Sequence, residues 1–161
     1  MSPEPWSAKP LSSVKHSIDG KVRITYTTII DPETVDPKAF ATTAHLIQEW
    51  VPKQREVRIT VVGESIFPVA IKSPRAYIDW RADYANLRYE RVNVPIEIAD
   101  KLIRYLSEFR IPYGAFDFVI TPDDRWVMLE CNPSGQWLWL HHIAGLPILT
   151  AIADLLTEDD S

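Results

Sequence analysis

The spacing of apolar residues changes period several times along this chain, and each change marks an element. From Val22 to Ile30 (VRITYTTII) β-branched residues dominate, and Asp31-Pro32 supplies a turn, which predicts one strand. Asp36-Pro37 joins a capping side chain to a proline at the first helical position and predicts a short helix to about Ala44. His45 to Trp50 (HLIQEW) then reads as a strand running into Val51-Pro52. Arg55 to Val62 (REVRITVV) alternates before its apolar end, Gly63-Glu64 turns the chain, and Ser65 to Ile71 brings it back as a β-hairpin. Pro68 in the second arm removes a ladder donor and belongs on an edge or at a bulge. Residues 72–88 show no clean period and read as a structured loop. Ile98, Ala99, Leu102, Ile103, Leu106 and Phe109 recur at three- and four-residue spacing and predict a helix from Pro95 to Arg110. Strands follow at Tyr113–Thr121 and Trp126–Cys131, and a last helix runs from about Pro147 to Leu156.

Composition narrows the classes. A chain of 161 residues has the length of one domain or of a part of a larger one, and 46% hydrophobic against 24% charged residues is ordinary for a folded soluble protein. With 17 basic and 22 acidic residues the net charge is −5, so nucleic acid is a poor partner. Cys131 is the only cysteine, which excludes an intrachain disulfide and points to a reducing, cytoplasmic compartment. No apolar run reaches about 18 residues, and MSPEPWSAKP has no basic region followed by a hydrophobic one, so neither membrane span nor signal peptide is expected. Five glycines against thirteen prolines exclude a glycine-rich phosphate loop of the Walker or dinucleotide type.

The chemistry concentrates in YGAFDFVITPDDRWVMLECNP, residues 113–133. If Pro122 to Arg125 form the hairpin loop, Thr121 lies opposite Trp126, and counting back sets Asp117 opposite Glu130. Asn132 follows on the same face, because strand side chains two apart point the same way. Like charges face to face destabilise a sheet, so the pair calls for a compensating cation, and two carboxylates with an amide suit magnesium. Spacing alone leaves a second reading open: both carboxylates on the solvated face of an amphipathic hairpin, the commoner situation. Trp137 and Trp139 would share one side of a strand and belong to core or interface rather than to catalysis. His141 and His142 have no third metal ligand at useful spacing, and Cys131 points away from Glu130 as a small buried hydrophobe.

FDFVITPDDRWVMLECNPSGQW resembles the metal-binding hairpin of ATP-grasp enzymes, in which an aspartate, a glutamate and an asparagine two positions on hold magnesium against nucleotide phosphates. LECNPSGQWLWL followed by GLP, with DWRADY upstream, resembles more narrowly the ATP-grasp ligases that mature ribosomally synthesised peptides, the graspetide or microviridin type. The similarity runs from about Lys9 to Leu156. It implies an α+β chain with the ATP-grasp fold, antiparallel sheets with packed helices, and the N-terminal pre-ATP-grasp domain absent. Residues 1–161 would form the ATP-grasp domain, about 1–50 being the remainder of the first lobe and about 51–157 the C-terminal lobe. Asp117, Glu130 and Asn132 become the magnesium ligands. Lys9 matches the strand lysine that reaches the ATP phosphates, and Ser12 and Ser13 begin the phosphate-covering loop, which is unusually poor in glycine here. Gln48, Glu49, Trp50 and Val51 match the hinge strand that meets adenine and ribose. Arg58, Lys72 and Arg81 fall where basic residues surround the transferred phosphate and the acceptor carboxylate, although Asp79-Trp-Arg81 also fits a structural ion pair.

The function implied is an ATP- and magnesium-dependent ligase that activates a carboxylate of a precursor peptide as an acyl phosphate and then forms an ester or amide. The resemblance leads to the expectation that a missing domain or partner chain completes the site, that the chain alone is a poor ligase, and that exposed apolar surface favours self-association. A catalytically inert nucleotide- or peptide-binding module is the alternative reading. A metal-dependent hydrolase is disfavoured, because no histidine or extra carboxylate stands at a spacing suited to a general base.

Overall fold

The computed structural model describes residues 5–11, 15–18, 21–24, 26–73 and 79–158, and the chain contacts divide it into two units. One comprises Met1–Val51 with Ser73–Asn86, the other Pro52–Lys72 with Leu87–Ser161.

In the first unit β1 (Trp6–Pro10), β2 (Lys15–Ile18), β3 (Lys21–Ile24), β4 (Thr28–Ile30) and β5 (His45–Glu49) build two antiparallel sheets, of order β4-β1-β5 and β2-β3. The single strand expected over Val22 to Ile30 is therefore two: its first half pairs with β2, and its second half changes sheet to pair with β1. Asp36 caps α1 (Pro37–Phe40) by accepting from the Lys38 N–H at 3.0 Å, as the Asp-Pro signal indicates. That helix lasts one turn rather than running to Ala44. Two threonines follow it, and the Thr42 hydroxyl donates to the Ala39 carbonyl at 2.7 Å, a local bond that competes with helix propagation. The aperiodic segment before Arg88 contains a 3₁₀ stretch, Trp80–Asn86, belonging to this unit.

In the second unit β6 (Arg55–Val62), β7 (Ser65–Lys72), β8 (Arg88–Arg91), β9 (Tyr113–Ile120) and β10 (Trp126–Asn132) form one antiparallel sheet of order β10-β9-β6-β7-β8. Gly63, at φ +56°, closes the predicted β6–β7 hairpin in a conformation that costs glycine little. Strand β8 has no signal in the sequence, since RYER carries no apolar alternation. It pairs with β7 only as far as Val69, so Pro68 sits just past the end of that ladder, where β7 is locally an edge.

Helices α2 (Ile96–Glu108), α3 (Leu138–Ala144) and α4 (Ile148–Glu158) cover the sheet. Strand alternation sends Val57, Ile59 and Val61 to one face, where Ala70, Phe116, Phe118 and Ile120 join Leu102 and Leu106 of α2. Val62, Phe67 and Val69 pack on the other face with Leu140, Leu146 and Ile148. Burial on both faces explains the near-continuous apolar end of β6. Residues 138–144 are helical, not extended. Trp137 and Trp139 are half-buried against the second cluster, in keeping with a core role. Among the described residues no helix is long and apolar enough to cross a membrane.

Candidate functional site

Asp117 lies opposite Glu130 on the β9–β10 hairpin, and on its other side Arg58 of β6 is its partner. Three charged residues thus stand side by side across three adjacent strands. The register that produces the Asp117–Glu130 pair differs from the simple count. Trp126 pairs with Ile120, not Thr121, because Thr121 closes the loop by exchanging bonds with Arg125. A bulge between Met128 and Glu130 then shifts the pairing by one and restores Glu130 to Asp117. The extra residue re-aims the strand at the point where both carboxylates must share a face.

Arg58 Nη1 donates to Asp117 Oδ1 at 2.7 Å, and only 10% of its side chain is exposed against 26% for Asp117. Within the row, one cation stands beside two carboxylates. Burial raises the Asp117 pKa above its ordinary 3.8, the Arg58 charge and hydrogen bond pull it down, and the neighbouring Glu130 pushes it up again, with a net rise. Arg58 therefore compensates the pair only in part.

Asn132 follows on the same face, opposite Ala115, and its Oδ1 accepts from the Ser134 N–H at 2.9 Å. The chain then doubles back over the sheet. Gly135 packs so closely that a Cβ there would lie 2.4 Å from Ala115 Cβ and 2.8 Å from Arg58 Nη2, which only glycine permits. Arg58 Nη2 donates to the Gln136 carbonyl at 3.3 Å, and the Tyr113 hydroxyl donates to the Gly135 carbonyl at 2.5 Å. Cys131, partner of Phe116, packs half-buried against the opposite cluster, where burial raises its thiol pKa.

The donor set fits a magnesium ion by its chemistry: hard oxygen donors only, two carboxylates whose mutual repulsion a cation would relieve, and an adjacent amide. Among the described residues no group of three or more His, Cys, Asp or Glu side chains could hold a metal ion, so the set here depends on the Asn132 amide for its third protein donor.

The other expected site residues separate. Lys72 follows Ala70 and Ile71 in alternation, so it lies on the sheet face opposite Asp117, where it is ion-paired with Glu90. In the first unit Lys9 of β1 is half-buried and pairs with Leu46, and the Ser7–Gln48 pair puts Gln48 on the same face of that sheet as Lys9. Glu49 points to the other face, beside Trp6. The Trp50 N–H donates to the Pro5 carbonyl at 2.8 Å, so that group is occupied. Arg81 holds Asp79 through Nε and Nη2, at 2.9 and 2.6 Å, the ion pair that the sequence offered as one reading. Asp79 is buried and also accepts from the Thr27 N–H. Ser12 and Ser13 lie outside the described residues.

No protein-family model matches the sequence, and no curated protein matches it. Solved structures do. A RiPP-associated ATP-grasp ligase of Chryseobacterium gregarium, in complex with ADP and a leader and core peptide, superposes with a TM-score of 0.85 at 26% identity, over 96% of this chain and 49% of its own. The macrocyclase MdnC of Microcystis aeruginosa, bound with precursor peptide MdnA, gives a TM-score of 0.78 at 32% identity over the same shares.

The fold is that of the ATP-grasp ligases. PsnB, an ATP-grasp ligase solved with a precursor variant, Mg and ADP, shares that fold at 17% identity and a TM-score of 0.71, over 98% of this chain and 47% of its own. The chain spans about half the length of the ligases it matches. In this chain of ATP-grasp fold the sequence revealed the residues whose chemistry is conspicuous, and it missed those that hold them. Tyr113, Gly135 and the Gln136 carbonyl carried no chemical signal of their own. The one available hint was a glycine within NPSGQW in a chain that has only five.

Proposed function

We propose that this chain is the nucleotide- and magnesium-binding portion of an ATP-dependent ligase that modifies a ribosomally made precursor peptide. The observation that carries the reading is the Arg58–Asp117–Glu130 row with Asn132 beside it, in a fold similar to ligases solved with ADP and peptides. A peptide carboxylate would attack the terminal phosphorus of ATP and release ADP. A hydroxyl or amine would then displace phosphate from the acyl phosphate, removing one water from the peptide overall. Such chemistry needs positioning and charge neutralisation rather than a protein nucleophile.

Asp117, Glu130 and Asn132 would hold magnesium, which supplies positive charge against the phosphate oxygens. Arg58 would keep Asp117 oriented and add positive charge beside it, its guanidinium being already tied to that carboxylate. Lys9 would bind the phosphates, with Ser12 and Ser13 in the loop that covers them. Gln48 to Val51 would meet the adenine, through groups other than the Trp50 N–H. Arg81 is assigned to the transferred phosphate and the acceptor carboxylate, where its ion pair with Asp79 would have to be shared with substrate. Lys72, on the sheet face opposite Asp117 and paired with Glu90, falls outside a phosphate site built on Asp117.

Calorimetric titration of ADP at graded magnesium concentrations tests the reading. Asp117→Asn and Asn132→Ala are each expected to remove most of the magnesium-dependent part of binding. Unchanged magnesium dependence in both variants would refute it. Incubation of the protein with ATP, magnesium and a precursor peptide, followed by mass spectrometry for loss of water, tests the ligase step itself.

A further inference from the structure

We propose that Tyr113 is a positioning residue for the magnesium site, acting through the Gly135–Gln136 loop segment on Arg58 and thereby on Asp117; this rests on the function proposed above. The guanidinium of Arg58 has few anchors. Its Nη1 is committed to Asp117, and its Nε is buried with no hydrogen-bond partner among the described residues. That leaves the loop side. There Nη2 makes a long 3.3 Å bond to the Gln136 carbonyl and lies against the bare Cα of Gly135. Because a Cβ at Gly135 would come within 2.8 Å of Nη2, this backbone forms a wall of the guanidinium pocket.

What fixes the wall is the Tyr113 hydroxyl, 2.5 Å from the Gly135 carbonyl. Tyr113 begins β9, four residues before Asp117 and on the same face. The latch and the carboxylate it serves thus belong to one strand, and the loop is held by the Tyr113 hydroxyl on one side and by Arg58, the partner of Asp117, on the other. Burial raises the tyrosine pKa, which keeps the hydroxyl protonated as a donor. Removing the hydroxyl leaves a carbonyl without its donor in a packed site, and the loop can then move away from Arg58.

The experiment is magnesium-dependent ADP binding by calorimetry, with a thermal melt of every variant. In Tyr113→Phe the ring and its packing remain, so a cooperative melt is expected. The magnesium concentration at half effect should rise about five-fold, the size expected for one lost hydrogen bond. In an Arg58→Lys background, which already lacks the planar fork, adding Tyr113→Phe should move that midpoint no further. An unchanged midpoint in Tyr113→Phe overturns the proposal, as does an equal shift in both backgrounds. Loss of the cooperative melt also overturns it, by making Tyr113 a structural residue. Asp117→Asn separates the two levels. If it keeps full magnesium dependence, the functional reading falls and takes this inference with it. If it loses that dependence while Tyr113→Phe does not, only the inference falls.

Discussion

Burial and, to a lesser degree, the neighbouring Glu130 raise the pKa of the half-buried Asp117, and Arg58 compensates this only in part. The sign is explicit. The folded Asp117 pKa lies above the ordinary 3.8, so its charged form costs stability, and that cost grows as pH rises above 3.8. Glu130→Gln relieves the repulsion. Without metal it is expected to stabilise the fold by up to about 1 kcal/mol, seen as a melting temperature roughly 2–4 °C higher at neutral pH. The same substitution should abolish magnesium dependence, and a lower melting temperature would contradict the charge argument. Gly135→Ala tests the close approach. Its methyl group has nowhere to go between Ala115 and Arg58, so a loss of about 1–3 kcal/mol is expected from denaturant midpoints.

At the scale of elements, two devices place charge by backbone geometry. The β9–β10 hairpin uses a five-residue closure, Thr121 to Arg125, and a compensating bulge to bring Glu130 to Asp117. The segment after residue 78 uses the Asp79–Arg81 fork, which also receives the Thr27 N–H and so ties the 3₁₀ stretch to the strand side of its unit. For Asp79, burial pushes the pKa up, but the hydrogen bonds and charge of Arg81 and the two backbone donors outweigh it, with a net fall below 3.8. That contribution to stability is present above pH 3.8 and is lost as pH falls below it. Asp79→Asn should cost about 1–3 kcal/mol at neutral pH, less than a fully buried pair because Arg81 reaches solvent. It should also flatten the acid limb of a urea-midpoint profile taken below about pH 4. A limb as steep as in the unaltered protein would show that another carboxylate governs acid unfolding.

At the scale of the whole molecule, each unit carries its own set of proposed contact residues: Lys9 and Gln48 to Val51 belong to the first, and the carboxylate row belongs to the second. Nucleotide fragments can therefore report on each unit separately. Lys9→Ala should lose about ten- to hundred-fold in affinity for ATP and little for adenosine, which carries no phosphate. Equal losses for both ligands would exclude Lys9 from the phosphates.

Much of this was legible in the sequence, because local patterns carry it. The period-two alternation of β6, the three-and-four spacing of α2 and the Asp36-Pro37 cap each follow from neighbours a few residues apart. So does the presence of two carboxylates and an amide on one hairpin face, since alternation depends on the strand alone. Tertiary structure decided the rest. Only sheet order sets Arg58 beside Asp117, 59 residues away, and so turns a pair of repelling carboxylates into a partly neutralised row. Only the fold-back of residues 133–137 brings Gly135 against Ala115 and Arg58 and gives Tyr113 its partner. Strand β8 and the change of sheet between Ile24 and Thr28 were hidden for the same reason: a strand's partner is a property of packing, and no spacing within the strand encodes it.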